Sequence, residues 1–215
     1  MDRTLPFAAV GVVVIALVLW SRDQLFGPAS PLEAARQYVT QDLSPSDARS
    51  FTVLGTRPWS NREIVFYHVH QTAYRPPGDP WGNGDEYGWL WVVHSYVLGW
   101  QALGGSVLDA GVTPPHQAPV LVEAGHGSGS TGTYAYVFGH VLTRTVRTVQ
   151  VAFSTGQTIT TIPSKTIFMA LSSSAANACQ VRVQGVNGRL ITEINLVADG
   201  LIPAAPSYCG ETHGA

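Results

Sequence analysis

The chain has 215 residues, of which 45% are hydrophobic and only 12% charged, with a formal net charge of −2. This content excludes global disorder and is enough for one or two domains with their own cores. The few charges are scattered and Lys165 is the only lysine, so no basic stripe exists to neutralise a phosphate backbone and nucleic acid is not an expected partner.

The first element is an uncharged run from Leu5 to Trp20, rich in Val, Ala and Leu. As a helix it covers about 24 Å at about 1.5 Å per residue, somewhat short of a ~30 Å hydrocarbon core, with Ser21 and a snorkelling Arg22 placed for the interface. A signal-peptide h-region is the alternative, but Trp20, Arg22, Asp23, Gln24 and Leu25 follow the run where a cleavage site needs small residues. The expectation is a retained single-pass anchor in contact with lipid through residues 5–20. The weak positive bias of the amino terminus and Arg3 leaves the bulk of the chain outside the cytoplasm. Residues 1–28 then form the anchor and juxtamembrane segment.

Gly27-Pro28 and Pro31 mark a break, and residues 29–50 are expected to hold a short helix and connector. Leu32, Ala35, Tyr38, Val39 and Leu43 recur at helical spacing after a start at Ser30 or Pro31, and Ser44-Pro45-Ser46 ends that helix or opens another turn. From Phe51 the pattern changes to segments rich in Val, Ile, Tyr, Phe and Trp. Strands are expected near Phe51 to Gly55, Arg62 to Thr72, Gly88 to Leu98, Trp100 to Leu108 and Val120 to Ala124, an aromatic-rich β region over residues 51–124.

The run Gly125 to Gly132, GHGSGSTG, has the composition of a flexible linker, and a domain boundary is expected there. After it come short strands near Tyr134 to Leu142, Thr148 to Phe153, Thr158 to Ile162, Thr166 to Leu171, Cys179 to Gln184 and Arg189 to Leu196. Ser154-Thr155-Gly156-Gln157 and Asn187-Gly188 read as hairpin connections. Residues 133–203 are thus expected to form a small β-sandwich of Ig-like size, without the Cys-Trp-Cys arrangement of true immunoglobulin domains. Residues 204–215 remain as a C-terminal tail. Cys179 and Cys209 suit a disulfide made in an oxidising compartment, which would pin that tail. Two free thiols are the alternative, and without CxxC spacing a metal pair has little support. The fold class is therefore mainly β: a transmembrane helix, a short amphipathic helix, a β-sheet region and a small Ig-like sandwich.

This order of features, with the stretches REIVFYHVHQT, GWLWVVHSYVLGWQALGG and VRTVQVAFSTGQTITTIPSKTIFMAL, resembles that of bacterial membrane-anchored extracytoplasmic β-rich proteins. The resemblance covers most of the chain. It implies a location and an architecture, and brings no catalytic motif with it.

Three groups of residues have the chemistry of a site. His68-Val69-His70 places two imidazoles on one face of a strand, and His94 on the later strand would complete a three-histidine site for zinc. The alternative is that these histidines lie on a solvent face opposite Val65, Tyr67 and Val69. The segment GDPWGNGDEYG offers Asp79, Asn83, Asp85 and Glu86 as oxygen ligands for calcium, or else is a solvated turn. Tyr74, Trp81, Tyr87, Trp89, Trp91 and Trp100 cluster around the same loop. Trp89 and Trp91 share a strand face that reads as core wall, whereas Tyr74 and Trp81 are the better ligand contacts, for a sugar or a peptide. No GxSxG elbow is present, and GHGSGSTG, despite its glycines and hydroxyls, lacks the lysine of a P-loop and the strand-to-helix context of a dinucleotide-binding GxGxxG. The leading expectation is a tethered accessory module, bound to a protein partner in a membrane complex and without a cofactor. The alternatives are a three-histidine metal protein, whether enzyme or binder, and an envelope-carbohydrate binder.

Overall fold

Ser30 and Ser44 each stand one residue before a proline, and both begin helices for the same reason. Each presents a side-chain oxygen to an otherwise unpaired backbone N–H, while the proline supplies a helical φ and lacks only an N–H that the first turn cannot use. In the computed structural model, which describes residues 27–72, 84–109, 118–129, 132–174, 176–197, 201 and 209, helix α1 runs Pro31–Thr40 and helix α2 Pro45–Ser50. Ser30 Oγ accepts from Glu33 N–H at 3.1 Å, and the Glu33 carboxylate reaches back to Ala29 N–H at 2.9 Å. Ser44 Oγ accepts from Asp47 N–H at 3.2 Å. Among the described residues no helix is long and apolar enough to cross a membrane. The expected anchor, residues 5–20, lies outside them.

The rest is antiparallel strand. The chain divides into two compact units between Val107 and Leu108. In the first, β1 (Thr52–Trp59), β2 (Arg62–Gln71), β3 (Gly84–Ser95) and β4 (Gly99–Asp109) form a sheet in sequential order. Alternation along β2 and β3 decides which side chains face the helices. Val65, Tyr67 and Val69 of β2, with Leu90 and Val92 of β3, bury against Ala34 and Ala35 of α1. The opposite face carries Ile64, Phe66, Trp89 and Trp91, also buried, followed toward one end of the sheet by His68 and His70. Trp89 and Trp91 meet edge to face at 5.4 Å, which makes them core wall.

The second unit has two sheets. One is β5 (Val120–Gly129), β6 (Gly132–Val141) and β9 (Ile167–Ser172), in that order. The other runs β11 (Leu190–Asn195), β10 (Ala178–Gly185), β7 (Val146–Phe153), β8 (Thr158–Thr161). Val137, Phe168 and Ala170 from the first sheet share one apolar core with Val149, Val151, Val181 and Val183 from the second. Two sheets closing on a common core make a sandwich. Ser154–Gln157 joins β7 to β8, and Val186–Gly188 joins β10 to β11 with Asn187 at φ 76°. Cys179 and Cys209 are disulfide-bonded.

One boundary differs from the sequence expectation. The run 125–132 is not a linker: most of it belongs to the hairpin of β5 and β6, and Val120 to Ala124 belongs to the sandwich rather than to the first sheet. The reason is a pairing of glycine with tyrosine across the strands. Gly125 lies opposite Tyr136 and Gly127 opposite Tyr134. A Cβ built on Gly125 would come 2.7 Å from the Tyr136 hydroxyl, and one on Gly127 2.5 Å from the Tyr134 ring. The rings cover the bare glycines and supply the apolar contact that a glycine strand lacks. Tyr136 also donates its hydroxyl proton to Glu123 Oε1 at 2.8 Å.

Candidate functional site

The polar end of the second face of β2 and β3 is the densest group of chemistry-bearing side chains in the first unit. Register places it. His68 faces Tyr87 and His70 faces Asp85, and because alternate residues on a strand share a face, all four side chains lie on one side. Asp85 Oδ1 accepts from His68 Nε2 and from His70 Nδ1, each at 2.9 Å. The His68 ring rests against Tyr87, centroids 4.8 Å apart. His68 is about a quarter exposed and both His70 and Asp85 about half.

Helix α2 fixes this end of β2. The Ser50 hydroxyl accepts from His70 N–H at 2.8 Å and lies 3.0 Å from the His70 carbonyl oxygen. Asp47 is the one buried acid among the described residues, 2% exposed. Its Oδ1 accepts from Thr72 Oγ1 at 2.5 Å and from Thr72 N–H at 3.1 Å. A carboxylate held by two donors compensates its own burial. Gln71 donates to Glu86 on the other face of the sheet.

Both acids are held below the usual carboxylate range. For Asp85 the first cause is the hydrogen bond from His70, then that from His68, against some desolvation. For Asp47 it is the Thr72 hydroxyl, then the Thr72 backbone N–H. A carboxylate whose folded pKa is depressed adds stability that is fully present above its unfolded value, near 4, and is lost as pH falls through the folded value. Thermal unfolding followed between about pH 2 and pH 6 should therefore show stability falling below about pH 4. Asp47→Asn and Asp85→Asn should each flatten that acid limb. An unchanged slope in both variants would show that neither carboxylate is stabilised by folding.

The expected three-histidine site is corrected by the same register. His94 lies seven residues along β3 from Tyr87, about 23 Å at about 3.3 Å per residue, and it falls on the opposite face. There it meets Trp100 and Tyr96, at 5.1 and 5.8 Å. His68 and His70 do converge, but on the carboxylate. A carboxylate only accepts, so the nitrogens aimed at Asp85 carry protons, and the other nitrogen of each ring lies on its far edge. Chelating one ion between the rings would require breaking both hydrogen bonds. Among the described residues no group of three or more His, Cys, Asp and Glu side chains is arranged to hold a metal ion.

The expected calcium loop is also changed. Asp85 and Glu86 are strand residues of β3 and project to opposite faces, so they do not ligate one ion. Asp79, Asn83, Tyr74 and Trp81 lie outside the described residues. Asp85 is the residue whose part the sequence analysis missed, since it was weighed only as a loop ligand. The signal was present: HVH and DEY both alternate, and antiparallel pairing of their strands brings Asp85 opposite His70. Comparison with protein-family models, curated proteins and solved structures finds no match for this chain.

Proposed function

We propose that the chain is a membrane-tethered extracytoplasmic interaction module, acting as a peripheral subunit of a larger membrane complex. The observation that carries this reading is the Cys179–Cys209 disulfide, because such bonds persist in oxidising compartments. The uncharged run from Leu5 to Trp20 supports the tether, and its flanking charges support the outward orientation.

The finer expectation of an Ig-like sandwich is supported by strand order. Lettered A to G from β5 to β11, the sheets read A-B-E and G-F-C-D. The constant-type immunoglobulin order is A-B-E-D with C-F-G, so the fourth strand here has moved from the edge beside E to the edge beside C. Sandwiches of this kind present loops and sheet edges to partners, and that suits a binding module better than an enclosed chemical pocket.

Gentle detergent extraction of the native membrane, followed by mass spectrometry of what co-migrates with the full-length chain, tests the proposal. Stable co-purification with an integral membrane assembly is expected. Recovery of the chain alone from the soluble fraction would overturn it. Stoichiometric zinc in the purified chain, lost on His68→Ala, would instead favour a metal-binding protein using His68 and His70.

A further inference from the structure

The turn between β3 and β4 has an unusual composition. Turns favour Gly, Asn, Asp, Pro and Ser, yet this one is Tyr96-Val97-Leu98, and those residues are 98%, 70% and 48% exposed. Apart from the edge of the Tyr96 ring against His94, what holds the turn is hydrogen bonding. Ser95 Oγ accepts from Val97 N–H at 3.3 Å and from Leu98 N–H at 3.2 Å, and Gly99 closes it at φ 66°. The Ser95 hydroxyl holds the loop by its backbone N–H groups while the three side chains are displayed.

The start of the described chain lies at the base of this turn. Trp100 N–H donates to the Pro28 carbonyl at 3.2 Å. Gly27, at φ +63°, packs so closely that a Cβ there would come 2.2 Å from the Leu98 carbonyl oxygen. Gly27, seven residues beyond the end of the apolar run, therefore lies beside Leu98. From Trp20 to Gly27 the chain spans at most about 25 Å if extended and about 10 Å if helical. The polar interface of a bilayer is about 6 Å deep on each side. Trp59, the last residue of β1, lies at the same end of the sheet, since it pairs with Arg62 and Arg62 with Val93. Trp59, Tyr96 and Trp100 thus gather at one end, and amphipathic aromatics are enriched where an apolar layer meets water.

We infer that the Tyr96–Leu98 turn inserts into the headgroup–acyl boundary of the membrane that holds residues 5–20, so that the first unit stands on the bilayer by its β3–β4 end. This rests on the tether proposed above. The contact is apolar and aromatic, and therefore insensitive to salt and to anionic lipid. The His68–Asp85–His70 cluster then lies at the membrane-distal end of the sheet, because Asp85 and Ser95 are ten residues apart on β3, about 33 Å.

The test uses the full-length chain, disulfide intact, with Val97→Cys carrying an environment-sensitive dye and reconstituted into phosphatidylcholine vesicles. A parallel sample is labelled at Arg49→Cys in α2, near the other end of the sheet. A third, labelled at Tyr96→Cys, guards against a local defect at position 97. Flotation is measured first, then quenching by iodide equilibrated across the vesicle and by doxyl-labelled lipid. Flotation, with labels at 96 and 97 several-fold less quenched by iodide than the label at 49 and selectively quenched by the lipid, is the expected result. Flotation with all three labels equally open to iodide overturns the inference and leaves the tether standing. A chain that fails to float overturns the tether, and the inference with it.

Discussion

Replacing Cys179 and Cys209 together by serine is expected to lower the stability of the sandwich unit by about 3.5 kcal/mol, from the loop entropy released when residues 30 apart in sequence are no longer joined. Domains of this size are stable by about 5–15 kcal/mol, so a large part of the margin is at stake. The bond acts on structure as well as on the unfolded chain. Cys179 belongs to β10, an inner strand of its sheet, and its carbonyl accepts from Leu196 N–H at 3.0 Å at the end of β11. Leu196 is fully buried in the shared core. Loss of the disulfide should therefore also loosen the β10–β11 end, read as faster amide exchange at Leu196 and Val181. Urea unfolding of the double variant beside the parent with its disulfide oxidised measures the effect. A shift below about 1 kcal/mol would mean that Cys209 adds no effective cross-link to the folding unit.

Much of the architecture follows from local signals. Alternation in Val149, Val151 and Phe153 is a strand signature because one face of that strand is buried, and Asn187-Gly188 marks a hairpin because both residues must take positive φ. Ser30 and Ser44 before proline mark helix starts for equally local reasons. The GHGSGSTG run was legible only in combination. By itself it has the composition of a linker, and its identity as a strand depends on Tyr134 and Tyr136, which pack over Gly127 and Gly125 once the hairpin has closed. Such glycine–aromatic pairing is a tertiary effect that overrides propensity, so a reading of composition places the domain boundary too late in the chain.

The candidate site was half legible for a related reason. HxH spacing puts His68 and His70 on one face whatever the neighbouring strand does. Which residue joins them is a question of register, and a one-residue slip would turn the whole of β3 over. With Val65 opposite Leu90, Asp85 falls beside His70 and His94 is carried to the far end, where it packs with Tyr96 and Trp100. The composition of a strand nominates ligands, whereas the pairing sum of two strands selects among them. The aromatic turn at Tyr96–Leu98 shows the same division. Its apolar character is plain in the sequence, but its place beside Gly27 and Pro28 depends on how the first residues of β4 pack against those two.

Gly139→Ala is expected to cost about 2–3 kcal/mol, although it adds a single methyl group to a strand interior where alanine is otherwise the better residue. Gly139 lies on β6, the middle strand of its sheet, so both flanks are occupied. Its partner across β9 is Phe168. A Cβ at Gly139 would stand 2.3 Å from Phe168 Cζ and 2.6 Å from the Leu121 carbonyl oxygen of β5. The ring has little room to withdraw, being 3% exposed within the shared core, and the carbonyl is backbone in a paired strand. Chemical denaturation of Gly139→Ala, Phe168→Leu and the double variant separates the two contacts. If the ring is the main obstacle, trimming it relieves the clash, and the double variant loses less than the sum of the singles by about 1 kcal/mol. Additive losses would instead assign the cost to the Leu121 carbonyl. A Gly139→Ala chain as stable as the parent would mean that β6 can shift between its neighbours, and that Phe168 does not hold the sheet in register.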